Sequence, residues 1–464
     1  MGYQTTNPYT GEVVKTFETA TEAEIDAAIA KADAAFATWR DTPVEDRVAV
    51  LAKAADILEE NTREYAEVLT LEMGKMINEA EGEVALCARI LRYYVDHAAD
   101  LLAPRPVAAR GYGDMDVAIV HDPQGVIYAV EPWNFPFYQV IRVSAPQLAA
   151  GNTLVLKHAS IVPQSALKME QLFKQAGGPD GLLVNVFASH DANEQILSDD
   201  RVRGVALTGS EGAGAAVAQE AAKNLKKSTL ELGGSDAFIV LDDADLDKVV
   251  DWALLGRHWN GGQVCTSCKR MIIADSLYDE FLEKYRAKVA ALKPGDPMDE
   301  ATTLPPLSSQ SAADELAELV ERARQEGVTV EEIGDPVPAE GSFFQPTILT
   351  DVPDDSRTSQ TEFFGPVSQV YRAKDDDDAV RIANNSPYGL GGSIYSSDVR
   401  RAQQLARRID TGMVFINQPT GVAADIPFGG VKRSGYGREL TELGLTEFTN
   451  QKVVAVADID GEFF

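Results

Sequence analysis

From Glu131 onward the sequence alternates between short apolar segments and longer amphipathic ones, and this alternation restricts the fold more than any other feature. In chain order, the predicted elements are strands at 153–157, 182–186, 205–208 and 229–232, with helices at 165–175 and 212–223. A second block of the same kind has strands at 237–241 and 270–273 and helices at 277–292 and 311–326. Strands that alternate with helices form a parallel sheet covered by helices. The sequence therefore predicts an α/β protein.

The first hundred residues have a helical pattern instead. The segment Thr21-Glu22-Ala23-Glu24 matches a capping box, which predicts a helix that runs to Trp39. Further amphipathic segments predict helices at 44–60, 63–73 and 81–102. Pro104 and Pro106 end this helical block. Strand patterns then follow at 115–121, at 125–130 and, in the C-terminal tail, at 452–456.

The chain is strongly acidic. Its 464 residues include 72 acidic and 42 basic side chains, which gives a formal net charge of −30. Such a charge repels nucleic acids and anionic membranes, so the sequence predicts neither as a partner. Runs such as Asp375–Asp378 are typical of a surface that stays hydrated in concentrated salt, and we interpret the composition as haloarchaeal in type. The apolar runs are too short to span a membrane and the N-terminus lacks a signal-peptide pattern, so we expect a cytoplasmic protein.

Cysteine and histidine are scarce. The three cysteines, Cys87, Cys265 and Cys268, do not make a disulfide framework. The five histidines do not cluster at metal-ligand spacings, so the sequence predicts no metal site. A regulatory disulfide between Cys265 and Cys268 stays open, because its formation depends on the distance between their Cα atoms.

Glu231 and Cys265 each lie beside a pair of glycines, in Glu231-Leu232-Gly233-Gly234 and Gly261-Gly262-Gln263-Val264-Cys265. Glycines let the backbone approach a reacting atom closely. A thiolate can attack a carbonyl carbon, and a carboxylate can activate water in a later step. The two motifs therefore indicate covalent catalysis followed by hydrolysis. Taken alone, Cys265 could equally be an inert buried thiol and Glu231 a salt-bridged carboxylate.

Other polar groups at predicted strand ends could support such chemistry. The segment Pro132–Pro136 would hold the Asn134 amide as a donor to a developing oxyanion. The segment Gly209–Gly214 lies between a strand and a helix, where backbone N–H groups form an anion site suited to a pyrophosphate. Lys157 and Ser160 supply a cation and a hydroxyl where a ribose could lie. Each of these features, taken singly, is also explained as a structural turn.

Together these motifs resemble those of the aldehyde dehydrogenase superfamily, and the resemblance runs nearly from end to end of the chain. The matching motifs are Pro132–Pro136, Gly209–Gly214, Glu231–Gly234, Gly262–Cys265, Glu362–Pro366 and Pro427–Gly430. The chain is most similar to the succinate-semialdehyde dehydrogenase-like branch of bacteria and archaea. The resemblance implies a Rossmann-like cofactor domain (1–110 and 131–230), an α/β catalytic domain (231–440) and a small β oligomerisation arm (111–130 and 441–464). It also implies a homodimer or homotetramer.

The resemblance assigns roles to matching residues. Cys265 is the nucleophile that forms a thiohemiacetal and then a thioester, Asn134 is the oxyanion donor, and Glu231 is the base that activates water. The residues implied to contact the cofactor are Trp133, Lys157, Ser160, Gly209, Ser210, Gly214, Leu232, Glu362 and Phe364. Members that prefer NAD often carry a glutamate where this chain has Ser160. The resemblance therefore implies that NADP is accepted and that NAD is usable.

Arg142 bears on the substrate. It lies eight residues after Asn134, where semialdehyde-acid enzymes place an arginine for the distal carboxylate, and the fork of a guanidinium pairs well with that group. This match implies succinate semialdehyde as the substrate. Arg142 could instead belong to a structural ion pair. The second arginine of such enzymes is replaced by Trp259, and the expected serine is missing from 421–424.

Several alternatives stay open at this point. Other small aldehydes, such as 2-oxoglutarate semialdehyde, glycolaldehyde and lactaldehyde, fit the same chemistry. A CoA-acylating relative normally lacks the base, so Glu231 favours hydrolysis of the thioester. A non-catalytic protein that has kept the fold is the alternative from a different functional class.

The acidic composition leads to a prediction about salt. At low ionic strength a net charge of −30 destabilises the compact state by repulsion, and molar salt screens that repulsion. We expect activity and native circular dichroism in molar KCl and the loss of both at low salt. Full stability at low salt would contradict the interpretation of a salt-adapted surface.

Overall fold

The protein is described here from a computed structural model, which covers residues 2–108 and 115–460. The helices of these residues are α1 (Glu22–Trp39), α2 (Val44–Glu60), α3 (Thr62–Met73), α4 (Ile77–Leu101), α5 (Pro136–Ala150), α6 (Pro163–Gln175), α7 (Asn193–Ser198), α8 (Glu211–Lys223), α9 (Leu246–His258), α10 (Tyr278–Ala290), α11 (Gln310–Gln325), α12 (Asp376–Asn384), α13 (Val399–Ala406) and α14 (Thr441–Thr446).

The strands of the described residues are β1 (Tyr3–Thr6), β2 (Val13–Phe17), β3 (Arg105–Pro106), β4 (Asp116–Pro123), β5 (Val126–Glu131), β6 (Thr153–His158), β7 (Leu183–Asn185), β8 (Val202–Thr208), β9 (Lys227–Glu231), β10 (Ala237–Val240), β11 (Arg270–Ala274), β12 (Thr329–Glu332), β13 (Thr347–Thr350), β14 (Val367–Ala373), β15 (Tyr388–Gly389), β16 (Gly392–Tyr395), β17 (Phe415–Ile416), β18 (Val431–Lys432), β19 (Gly435–Tyr436) and β20 (Thr449–Val456).

The first large sheet has the strand order β19-β9-β8-β5-β6-β7. The strands from β9 to β7 are parallel, and β19 lies antiparallel against β9 at the edge. Helices α2 to α6 bury apolar residues against one face of this sheet, and α1, α7 and α8 cover the other. Because parallel strands need crossover helices on their faces, the sheet is enclosed.

The second large sheet has the order β12-β13-β14-β11-β10-β16-β17. All neighbours from β13 to β17 are parallel, whereas β12 is an antiparallel edge strand. Helices α9 and α10 pack on one face, and α11, α12 and α13 pack on the other. The predicted α/β class, with two helix-covered sheets, is confirmed.

A three-stranded sheet of order β20-β4-β3 lies beside these units, and β4 and β20 pair over eight residues. These strands fall within the ranges predicted for the β arm, and a role of this sheet in oligomerisation stays a prediction. The segment 126–130, which the predicted arm includes, belongs instead to β5 and pairs in parallel with β6 and β8 in the first large sheet. The reason is that β5 is buried and apolar on both faces, as a central parallel strand must be. The predicted boundary at residue 111 lies outside the described residues.

The predicted helices of the N-terminal block are confirmed. The capping box is formed, since Thr21 Oγ1 accepts from the Glu24 backbone N–H at 3.3 Å and the Glu24 carboxylate accepts from the Thr21 N–H at 2.8 Å. Helix α5 was not predicted. Its residues are all buried, and Pro146 lies inside it, so it shows neither amphipathic periodicity nor a proline-free run.

Candidate functional site

A cavity of about 260 Å³ lies at the carboxyl ends of the parallel strands in the first large sheet. It brings together eight of the residues that the sequence singled out, which are Trp133, Asn134, Gly209, Ser210, Leu232, Cys265, Glu362 and Phe364. Ligands of open α/β sheets bind at this edge. The cavity is therefore the candidate active site.

The register of the sheet explains why distant motifs meet here. Strands β5, β8 and β9 end side by side, so the loop after each strand reaches the same edge. After β8 the chain turns through Gly209 into α8, and the Ser210 side chain caps that helix by accepting from the Ala213 N–H at 3.3 Å. The backbone N–H groups of this turn, together with the helix dipole, form an anion site that opens into the cavity.

Cys265 is half-buried and lines the cavity. Burial raises the pKa of its thiol to about 11, and the nearby ammonium of Lys269 acts in the opposite direction. The Lys269 Nζ donates to the carbonyl oxygen of Cys265 at 2.8 Å and forms an ion pair with Glu362 at 3.0 Å. A thiol must lose its proton before it can attack, because the thiolate is the nucleophile.

The Asn134 amide is held by the segment that carries the thiol. Its Nδ2 donates to the Gln263 carbonyl oxygen at 3.0 Å, and the Asn260 Nδ2 donates to the Asn134 backbone oxygen at 2.9 Å. Asn260 and Gly261 both have left-handed backbone angles, with φ of 53° and 61°. Asparagine and glycine adopt such angles most readily, which explains their presence in this turn.

Glu362 and two aromatic rings form the opposite wall. The Glu362 carboxylate accepts from the Gly234 backbone N–H at 3.0 Å. A Cβ at Gly233 would collide with the same carboxylate, so the glycine pair allows this close approach. The rings of Trp133 and Phe364 meet edge to face at 5.7 Å. Contacts of this wall and of the anion site with a nicotinamide dinucleotide stay a prediction.

Glu231 ends β9 but does not line the cavity. It is 2% exposed, and neither carboxylate oxygen has a hydrogen-bond partner among the described residues. Burial, followed by the nearby Glu439, raises its pKa well above the ordinary value, while Arg142 and Arg438 act against this. Its Oε1 lies against Gly429, where an added Cβ would approach to 2.7 Å. The carboxylate is therefore withdrawn from the cavity in this conformation.

Arg142 lies on α5 and is 1% exposed. Its guanidinium forms an ion pair with Glu439 and donates to Thr208 Oγ1 at 2.8 Å and to Tyr138 Oη at 3.3 Å. The structure therefore contains the ion pair that the competing interpretation of Arg142 requires, with Glu439 as its partner, and this pair is buried. Contact between Arg142 and a substrate stays a prediction.

A smaller cavity of about 30 Å³ adjoins Cys265 on the side away from the anion site. Four aromatic side chains are among its lining residues, and the ring of Trp259 packs on that of Phe135 with centroids 5.3 Å apart. Tyr138 and Arg142 line it as well. An aldehyde with a short chain could place its carbonyl at Cys265 and its tail in this pocket.

The remaining predicted cofactor residues lie outside the large cavity. Lys157 ends β6 in a buried position, and desolvation lowers its pKa to about 8. Ser160 is exposed on the loop that follows β6. Gly214 is buried in α8, where a Cβ would collide with Leu232. Gly214 therefore serves helix packing, while Lys157 and Ser160 stand at the next strand end along the sheet.

Cys268 is a buried free thiol. An added Cβ at Gly256 would lie 2.7 Å from its Sγ, and burial raises its pKa to about 12. A disulfide with Cys265 stays a prediction. Among the described residues, no group of three or more His, Cys, Asp or Glu side chains is arranged to hold a metal, and no helix is long and apolar enough to cross a bilayer.

Sequence reasoning missed several residues of the site. Thr208 and Gln139 line the large cavity, Lys269 contacts Cys265, and Glu439 pairs with Arg142. Lys269 could have been found, because a cation four residues after a thiol is a local signal. The ion pair between Glu439 and Arg142 could not have been found, because it joins segments that are far apart in the chain.

Comparisons with known proteins show what the chain is similar to. The model of the aldehyde dehydrogenase family matches residues 1–454. The NADP(+) succinate-semialdehyde dehydrogenase of Deinococcus radiodurans is 51% identical over 452 residues, which cover 97% of this chain and 94% of that protein. The one of Mycobacterium avium is 45% identical over 455 residues, covering 98% and 96%. A crystal structure of succinic semialdehyde dehydrogenase from Streptococcus pyogenes in complex with NADP+ has a TM-score of 0.96 at 44% identity, covering 98% and 100%.

Proposed function

Because this chain belongs to the aldehyde dehydrogenase family, we propose that it oxidises succinate semialdehyde to succinate with NADP+ as the electron acceptor. The observation that carries the proposal is one cavity that holds a thiol, a side-chain amide and a helix N-terminus. The relatives that resemble the chain over nearly its whole length support the choice of aldehyde and cofactor.

The residues of the site divide the reaction between them. The thiolate of Cys265 attacks the aldehyde carbon, and the Asn134 Nδ2 and the Cys265 backbone N–H stabilise the oxyanion. A bound nicotinamide dinucleotide supplies the hydride acceptor. Gly209, Ser210 and the N-terminus of α8 would hold its pyrophosphate, and Glu362 would hold the ribose beside the nicotinamide. Glu231 then accepts a proton from water as that water attacks the thioester.

The reaction can be tested with two variants that interrupt it at different steps. We expect succinate semialdehyde and NADP+ to give NADPH with the wild-type protein, and Cys265→Ala to give none. Glu231→Gln should release about one NADPH per active site and then stop, because the thioester forms but is not hydrolysed. Stopped-flow measurement of the NADPH absorbance follows both variants. Glu280→Gln, at an exposed position on α10, serves as the control. NADPH formation by Cys265→Ala would refute the proposal.

Ser160 supports NADP as the preferred cofactor. Its hydroxyl is exposed, and the buried ammonium of Lys157 stands three residues before it at the same strand end. A hydroxyl and a cation suit a 2′-phosphate, whereas a carboxylate at position 160 would repel it. NAD, which lacks that phosphate, remains usable.

Replacing Ser160 should change the cofactor preference. We expect Ser160→Glu to lower kcat/KM for NADP at least about tenfold, which corresponds to about 1.4 kcal/mol of repulsion, and to affect NAD less. Ser160→Ala separates the loss of the hydroxyl from the added charge. Steady-state kinetics with both cofactors measures the ratio. Equal effects on NAD and NADP, or a large wild-type preference for NAD, would contradict this role.

Arg142 supports an aldehyde that carries a carboxylate. Among the residues that line the small cavity it is the cationic one, and it adjoins Tyr138 there. We propose that its charge, which Glu439 only partly offsets, attracts the distal carboxylate of succinate semialdehyde. Other small aldehydes would use the same thiol and lack this attraction.

A test of Arg142 must take its ion pair into account. Removing Arg142 alone leaves Glu439 as an unpaired buried carboxylate, which costs about 3–5 kcal/mol. The informative variant is therefore Arg142→Leu with Glu439→Gln, compared with Glu439→Gln alone. We expect the double variant to raise KM for succinate semialdehyde about tenfold and to leave KM for butanal nearly unchanged. Equal changes for both aldehydes would refute the role.

The remaining expectations concern the oligomeric state, the compartment and the adaptation to salt. We propose a cytoplasmic, salt-adapted homodimer or homotetramer with cofactor, catalytic and arm regions as assigned above, except that β5 joins the cofactor sheet. In support, β20 is an edge strand of the described arm sheet and exposes Val453, Val454 and Val456. Such an edge can accept a strand of a second copy. Light scattering that shows a monomer at all salt concentrations would refute the assembly.

A further inference from the structure

Three polar residues stand in a row at the ends of the central strands. Thr208 pairs with Glu231 across β8 and β9, and Val130 pairs with Leu207 across β5 and β8. Each step along the paired strands β5 and β8 advances both by one residue. Glu131, which follows Val130, therefore lies beside Thr208, which follows Leu207. Directly paired residues point to the same face of a sheet. The side chains of Glu131, Thr208 and Glu231 therefore share one face.

Helix α5 covers this face and brings Arg142 to the row. The Arg142 Nη2 donates to Thr208 Oγ1 at 2.8 Å, and its Nε is paired with Glu439. Three carboxylates thus surround one buried guanidinium. They are nearly inaccessible to water, with exposed fractions of 3% for Glu131, 2% for Glu231 and 6% for Glu439.

The charges of this cluster do not balance if every carboxylate is ionised. Glu439 forms the direct ion pair with Arg142, while both oxygens of Glu131 and of Glu231 lack hydrogen-bond partners among the described residues. An ionised buried carboxylate without a partner is strongly destabilising. Burial, followed by the negative charge of Glu439, raises the pKa of Glu131 and of Glu231 well above the ordinary value.

The surroundings of the two carboxylates differ. Glu231 faces a second cation, because the Arg438 Cδ and the Glu231 Oε1 both lie against Gly429, at 2.9 and 2.7 Å from the position of an added Cβ. Glu131 faces Arg142 from α5, the Thr208 hydroxyl from β8 and the two other carboxylates, and among the described residues it has no second cation beside it. From β6, the His158 Nδ1 contacts the Glu131 backbone oxygen at 3.2 Å, and burial lowers the pKa of that imidazole to about 4. Ionisation therefore favours Glu231 over Glu131.

We propose that Glu131 is a positioning residue that holds a proton in the working enzyme and so leaves Glu231 as the ionised member of the pair. Glu231 can then accept a proton from the attacking water while the carbon–sulfur bond of the thioester breaks and the Cys265 thiolate leaves. The proposal rests on the assigned role of Glu231 in hydrolysis. An ionised Glu131 would oppose that role, since it would raise the affinity of Glu231 for protons.

Infrared difference spectroscopy tests the location of the proton without reference to activity. At pH 7 the wild-type protein should show the C=O stretching band of a buried carboxylic acid. We expect Glu131→Gln to remove this band and Glu231→Gln to retain it. If Glu131→Gln does not fold, retention of the band in Glu231→Gln still supports the proposal. Loss of the band in Glu231→Gln, or its absence from the wild type, overturns it.

The pH profile of acyl-enzyme hydrolysis gives a second readout, measured as the rate that follows the first turnover. We expect the acid limb to keep its position in Glu131→Gln, because an amide replaces a neutral acid. In Glu439→Gln the freed charge of Arg142 should shift the limb to lower pH by about one unit. If the acid limb of Glu131→Gln shifts to lower pH, or if that of Glu439→Gln does not shift, the proposed distribution of charge is wrong. If Glu231 were not the base, Glu231→Gln would continue to hydrolyse the acyl-enzyme after the first NADPH, and the infrared band would be unaffected.

Discussion

The capping of α5 by a buried ion pair is the interaction on which the geometry of the site depends. Glu83 accepts from the backbone N–H groups of Phe137 and Tyr138 at 2.9 and 3.0 Å, and Lys75 pairs with the same carboxylate. The Lys75 ammonium also lies 3.7 Å from the centre of the Phe135 ring. The first turn of a helix has N–H groups that need acceptors, and a carboxylate there also meets the positive end of the dipole. The helix start is thereby fixed within the core.

The fixed start of α5 sets the positions of Asn134 before it and of Arg142 within the helix. Asn134 lies just before α5, so its amide cannot move far from the cavity. Arg142 lies less than two turns into the helix and meets Glu439, which comes from the segment that precedes α14. The same segment contributes β19, whose Gly435 pairs with Glu231. The segment that precedes α14 is in this way attached to the first large sheet at the position of Glu231.

The sequence predicts well the parts of this arrangement that have local signals. Gly209 and Ser210 predict a turn from strand to helix, and the capping box of α1 predicts the residue at which that helix begins. Such signals depend on neighbouring residues only. Helix α5 was missed because complete burial removes the periodicity by which helices are recognised. The role of Glu131 had no signal, because it arises from the register of three strands.

In the proposed mechanism, the different burial of Cys265 and Glu231 separates the two halves of the reaction. The thiol lies in the cavity, where an aldehyde can reach it, whereas the carboxylate is held beneath the cavity against Gly429. A carboxylate that stood beside the thiol from the start would compete with the cofactor for space and would repel an anionic substrate. A pocket that receives the withdrawn carboxylate must meet two conditions, which are that no Cβ is in the way and that positive charge is nearby. Gly429 satisfies the first condition, and Arg142 and Arg438 satisfy the second.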